Sequence, residues 1–229
     1  MCKRASCAYP SVCKNLNTDH SALLEIYGAA RQIPGIKHCF VGSGIRYDLC
    51  LHDSGNPSVN RTNERYLETV IQYHTSGHFK VAPEHSAQGV LRLMRKPPFA
   101  LFYQLKNRFD RINDRNRLKQ QIVPYFISSH PGCRLEDMAE LAALTKQMNF
   151  KLEQVQDFTP TPLTLATTMY YSGYHPYSMQ KIASPKSDQE KKAQNMFFFW
   201  YRPEYKDKIR TVLTRIKRPD LLKKLYGKQ

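Results

Sequence analysis

The 229-residue chain is 41% hydrophobic and holds 14 Tyr and 11 Phe, which excludes an intrinsically disordered segment and allows one sizeable core or two small ones. No apolar run approaches the about 20 residues of a membrane-crossing helix, and the opening MCKRASCAYPSVC lacks the apolar stretch of a secretion signal, so a cytoplasmic protein without membrane contact is expected. The net charge of +16, densest in residues 92–119 and 186–229, favours acidic partners such as RNA, although a solvated basic surface explains it equally well.

The first sixteen residues form a cysteine-containing segment with Cys2, Cys7 and Cys13 in a C-x4-C-x5-C pattern. Three thiols are candidate soft-metal ligands, yet the spacing matches no paired zinc knuckle, and a cysteine-rich connection is the other reading. A fourth ligand would come from His20, a substrate or residues outside the chain. Without an export signal, disulfides are not expected.

A helix is predicted over 21–32, where Leu23, Ile26, Tyr27 and Ala30 recur at i, i+3, i+4 and i+7, stopped by Pro34-Gly35. Residues 36–41 then read as a strand opening into Gly42-Ser43-Gly44-Ile45-Arg46. After a loop at 54–57, residues 63–74 read as a helix with Leu67, Val70, Ile71 and His74 on one face. A short strand at 79–82 leads into Pro83-Glu84-His85, followed by helical segments at 86–94 and 99–109.

Residues 122–173 carry the densest information: a strand at 122–127, a helix with Leu135, Met138, Leu141, Ala142 and Leu144 at helical spacing, then an extended run at 150–158. The residues after these strands are Ser128-Ser129-His130-Pro131-Gly132-Cys133 and Asp157-Phe158-Thr159-Pro160. Strands separated by helices are the signature of parallel βαβ units. Right-handed crossovers would bring all four strand ends to one side. That side would collect Gly42–Arg46, Glu84-His85, Ser128-Ser129-His130 and Gln154-Gln156-Asp157, where ligands of β/α folds bind. Ordinary polar turn chemistry accounts for the same residues. The predicted domains are thus 1–16, an α/β body at 17–175 and a basic, helical extension at 176–229. In the extension, Ser187-x-x-Glu190 is a capping box. Residues 196–201, MFFFWY, either dock on a core or stack nucleobases, and residues 205–225 show one apolar helical face.

Several runs resemble the C-terminal half of YgiQ-type radical SAM proteins: Pro10–Leu16 (PSVCKNL), Ser43–Asp48 (SGIRYD), Val81–His85 (VAPEH), Leu91–Pro97 (LRLMRKP), Pro124–Gly132 and Glu153–Tyr171. The resemblance extends from Cys2 to about Leu222. It implies a partial (β/α) radical SAM barrel. In that family a 4Fe–4S cluster, held by a C-x3-C-x2-C loop, reductively cleaves S-adenosylmethionine to a 5′-deoxyadenosyl radical that abstracts a substrate hydrogen. By position, Ser43, Gly44 and Arg46 would lie near the methionyl group of S-adenosylmethionine and Glu84 and His85 near its ribose. Ile127, Ser128 and Ser129 would present backbone groups to the adenine. No C-x3-C-x2-C occurs in the chain, and Cys2, Cys7 and Cys13 fall after the cluster loop in the resemblance, where an auxiliary site is the remaining metal role.

The expectation is therefore a fragment that begins partway through the barrel, is not competent alone, and has the N-terminal part of the parent barrel as its partner. Its substrate is unknown, with RNA or another polyanion as a candidate class. A basic RNA-binding module is the alternative function, and a hydrolase holding a metal on His85, His130 and Asp157 is a third.

Overall fold

The computed structural model describes residues 2–153 and 155–227, so Gln154, one of the residues assigned above to the strand ends, lies outside the described residues. In chain order the elements are α1 (Ser21–Gln32), α2 (Tyr47–Cys50), α3 (Pro57–Tyr73), β1 (His78–Glu84), α4 (Gln88–Met94), α5 (Ala100–Asn116), β2 (Gln121–Ser128), α6 (Leu135–Gln147), β3 (Val155–Asp157), α7 (Leu165–Ser172), α8 (Asp188–Asn195), a 3-10 turn (Met196–Phe199), α9 (Pro203–Arg215) and α10 (Pro219–Tyr226). The expected α/β class is what the chain adopts: an open sheet of three parallel strands in the order β1-β2-β3. β2 pairs with β3 in the register Phe126–Val155, Ile127–Gln156 and Ser128–Asp157. Strict burial alternation along β1 and β2, with Phe79, Val81, Ile122 and Phe126 inward, follows from the two-residue period of a strand.

The chain divides into two compact units, Met1–Ala82 with Arg95–Pro124, and Pro83–Met94 with Tyr125–Gln229. In the first, α3 packs on α1, α2 and α5. Leu67, Val70 and Ile71 of α3 and Phe102, Leu105 and Phe109 of α5 are buried, and Phe79 stacks on Phe109 with centroids 5.3 Å apart. α3 begins at Pro57, six residues before the predicted start. Asn56 caps it by accepting the Ser58 N–H at 2.9 Å, and proline at the first helical position lacks only a donor that the helix would leave unpaired. The left-handed turn at Arg117 ends α5, and Asn113 then steers the chain towards β2: its Oδ1 accepts from Gln120 N–H at 3.2 Å while Gln120 Nε2 donates to the Ile71 carbonyl at 2.7 Å.

The second unit centres on α6, which packs against the 3-10 turn, α8 and α10. Met196, Phe197 and Phe198 are buried there with Met138, Leu141 and Ala142, so the first half of the aromatic run docks on a core. The capping box forms as expected: Ser187 Oγ accepts from Glu190 N–H at 3.2 Å, and the Glu190 carboxylate accepts from Ser187 N–H at 3.0 Å. The predicted 205–225 helix is two helices, because Lys217 adopts a φ of +55° and Pro219 restarts the chain as the first residue of α10.

One predicted strand is absent. Residues 36–41 form no strand, and Ile36 and Phe40 are 46% and 47% exposed. Their attachment includes a Val41 N–H bond to the His74 carbonyl at 2.8 Å. An alternation of Ile36, His38 and Phe40 matches the strand period, but the sheet offers it no place, so Gly42–Arg46 does not follow a strand. The run at 150–158 contracts to Val155–Asp157.

Candidate functional site

The chemistry-bearing residues of the second unit gather where β1 and β2 end. Glu84 closes β1 with a φ of +66°, and His85 follows, fully buried. His85 Nδ1 accepts from the backbone N–H groups of Ser86 at 3.0 Å and Ala87 at 2.9 Å, which places the ring proton on Nε2. That nitrogen faces Cys133 Sγ at 3.5 Å. Burial, with a smaller contribution from His130, lowers the His85 pKa to about 3. Burial, reinforced by the charge of Asp137, raises that of the Cys133 thiol far above its ordinary value. The pair is therefore a neutral imidazole beside a neutral thiol. A cysteine nucleophile must be a thiolate, so this contact is a packed hydrogen bond and not a nucleophile–base dyad. Iodoacetamide at pH 8 is expected to label the exposed Cys2 and Cys7 of the native chain and to reach Cys133 only after denaturation, as read by peptide mass spectrometry.

Between β2 and α6, residues 128–133 are held from several sides. Ser128 Oγ donates to Asp157 Oδ1, which also accepts from Asn195 Nδ2 at 3.0 Å, and the Ser128 carbonyl accepts the Phe158 N–H at 2.8 Å. Gln194 bridges the loop: its Oε1 accepts the Ser129 N–H and its Nε2 donates to the Cys133 carbonyl, both at 2.8 Å. Gly132 has a φ of +83°, which favours glycine, and a Cβ there would push on the end of the Leu93 side chain. His130 Nδ1–H donates to the Pro131 carbonyl at 2.9 Å, its ring meets Phe158 edge-on at 5.1 Å, and burial lowers its pKa to about 4. Ser129, at a φ of +61°, is fully buried and its hydroxyl has no hydrogen-bond partner. A buried hydroxyl costs free energy unless paired, and among the described residues of this loop its side chain is the orphaned one.

Of the residues assigned to S-adenosylmethionine, Glu84, His85, Ile127, Ser128 and Ser129 thus lie at strand ends within the second unit. Ser43, Gly44 and Arg46 lie in the first, on the exposed segment before α2. Gly44 runs close along β1, where an added Cβ would stand 3.3 Å from the Lys80 carbonyl oxygen. Arg46 forks onto Asp48, with Nε to Oδ1 at 2.8 Å and Nη2 to Oδ2 at 2.6 Å, an attachment that raises the guanidinium pKa.

Cys2 and Cys7 are exposed, and the Cys13 N–H bonds the Cys7 carbonyl at 2.7 Å. Among the described residues, no three His, Cys, Asp or Glu side chains stand close enough to hold a metal ion. This includes His85, His130 and Asp157, which form no such set. Sequence reasoning did not foresee Gln194 and Asn195 reaching the loop. They close a strongly polar helix, and only their position just before the docked Met196–Phe199 turn brings them inward.

Comparison with known proteins finds similarity along the whole chain. It is 57% identical over 228 residues to a UPF0313 protein of Bacteroides thetaiotaomicron, covering 100% of this chain and 37% of that protein. It is 55% identical over 227 residues to one of Porphyromonas gingivalis, covering 99% and 36%, and 41% identical over 222 residues to one of Methanocella arvoryzae, covering 97% and 35%. The chain therefore spans about a third of the length of the curated relatives it matches. Residues 153–228 match the family described as domain of unknown function DUF3362.

Proposed function

We propose that this chain, similar along its whole length to UPF0313 proteins, is part of a radical SAM enzyme and supplies the part of its barrel that receives S-adenosylmethionine. The supporting observation is the strand-end loop of the second unit, where Ser129 presents a buried hydroxyl that no protein group satisfies, beside the sequence runs that resemble the radical SAM family. The remaining strands of the barrel are the partner this reading requires.

The residues present fit the two cofactors unequally. The chain has no C-x3-C-x2-C and, among the described residues, no converging set of three ligands, so it does not fit a 4Fe–4S cluster, and none of its residues is assigned to one. For S-adenosylmethionine the fit is better. Ser129 Oγ, which has no protein partner, can donate to a ring nitrogen or a ribose oxygen. Bound there, S-adenosylmethionine would supply the radical chemistry of the reaction, with the cluster held by residues outside this chain. The protein's contribution here is positional: Gln194 and Asp157 hold the loop rigid, and its burial excludes water.

The test is the longest reading frame containing this chain, reconstituted anaerobically with iron, sulfide and reductant and assayed for 5′-deoxyadenosine. Formation of deoxyadenosine that requires reductant, with weaker S-adenosylmethionine binding in the Ser129→Ala variant, supports the reading. A frame that binds neither a cluster nor S-adenosylmethionine removes it.

A further inference from the structure

The second unit carries a pocket of about 320 Å³ remote in sequence from the strand-end loop, within and just before the segment that matches DUF3362. Its walls come from separate parts of the chain: Lys151 before β3, Trp200 and Tyr201 after the 3-10 turn, Arg202 and Lys206 at the start of α9, and Tyr226 at the end of α10. The charges lining it are three cations, and no carboxylate is among its lining residues. Among the described residues, no ion pair engages Lys151, Arg202 or Lys206, and all three are exposed. Arg202 is also the N-cap residue of α9, a 13-residue helix whose N-terminal dipole adds positive potential at the same place.

The aromatic walls are fixed. Trp200 Nε1 donates to Thr145 Oγ1 at 3.1 Å, Tyr201 OH to the Leu152 carbonyl at 2.9 Å and Tyr226 OH to the Trp200 carbonyl at 3.1 Å. The polar end of each ring is thus engaged within the protein, and all three rings line the pocket. Cations sit near them as well: Lys146 Nζ is 5.9 Å from the Trp200 ring centroid, and the Arg210 guanidinium is 5.4 Å from that of Tyr226. A rigid pocket of this kind has two complementary features, a planar ring and an anionic group attached to it.

We propose that this pocket binds one nucleotide of a single-stranded nucleic acid, its base against the aromatic walls and its phosphates on Lys151, Arg202 and Lys206. Stacking on fixed aromatic side chains beside a cationic track is how single strands are held. A bare phosphate would use the cations and leave the ring faces without a role. A duplex has its bases stacked on one another, out of reach of a concave pocket. The inference does not depend on the radical chemistry proposed above, because binding can be read on the 229-residue chain without cofactor.

Trp200 is the sole tryptophan, so its fluorescence reports on this pocket. Titration with a twelve-residue oligoribonucleotide is expected to quench it saturably. The logarithm of the affinity should fall with the logarithm of salt at a slope of about −1.4, as the two phosphates flanking one nucleotide of a single strand require. The K151E/R202E/K206E variant should bind at least about tenfold more weakly. A K14E/K37E/K119E variant, which makes the same net-charge change at exposed sites in the first unit, should bind as the unmodified chain does. Lys206→Gln alone, at an exposed position, should weaken binding several-fold and keeps the test valid if the triple variant misfolds. Absence of quenching, equal weakening by both triple variants, or competition by inorganic phosphate as effective as that of the oligonucleotide would overturn the proposal.

Discussion

Acidification from pH 6.5 to 5 is expected to destabilise the second unit more steeply than carboxylate titration alone explains. The cause is the pair of buried imidazoles, His85 and His130, with folded pKa values lowered to about 3 and about 4. Above about pH 6.5 both are neutral in the folded and unfolded states, and their burial carries no protonation penalty. As the pH falls, the unfolded chain takes up two protons that the folded chain refuses. Stability is therefore lost downwards from pH 6.5, with a limiting slope of about 2.7 kcal/mol per pH unit, until the folded groups themselves titrate. Asp137, whose pKa burial raises, acts in the opposite direction and only where carboxylates titrate. Urea unfolding followed by Trp200 emission at half-unit pH steps measures the slope, and a His130→Gln variant should show about half of it. A midpoint that does not move between pH 6.5 and 5 would mean that these rings are not held neutral by burial.

Replacing Phe197 by alanine is expected to cost about 3–5 kcal/mol in the same unit. Phe197 is fully buried in the 3-10 turn that packs on α6, so truncation removes its transfer free energy and leaves a cavity between the turn and that helix. Phe199 is half-buried, stacked on Tyr205 at 5.8 Å with the Arg202 guanidinium 4.4 Å from its ring, and its truncation should cost markedly less. The contrast separates the two roles open to the MFFFWY run. A core residue lowers the urea midpoint when removed, whereas a nucleobase platform would leave stability intact and lose oligonucleotide binding. Phe197 belongs to the first case, while Trp200 and Tyr201, three and four residues further on and half-buried, line the cationic pocket.

The amino-acid sequence by itself determined the elements whose signals are local. Helical periodicity marked α1 and α6, the Ser187–Glu190 capping box marked the start of α8, and short apolar runs between turn residues marked β1 and β2. Each depends on interactions between residues a few positions apart, which a one-dimensional pattern encodes. A run of the same kind misled at 36–41, since a strand exists only where a neighbouring strand accepts its backbone, and that neighbour is a tertiary fact. Tertiary structure alone decided that His85 would meet Cys133 across 48 positions and that Gln194 would span Ser129 and Cys133 from more than 60 positions away. It also decided which aromatics of one run would be buried and which would wall a pocket with Lys151, Lys206 and Tyr226. The sequence names the residue types available for binding. Burial, which sets the protonation of His85 and Cys133 and leaves the Ser129 hydroxyl unpaired, arises only when distant segments exclude water together.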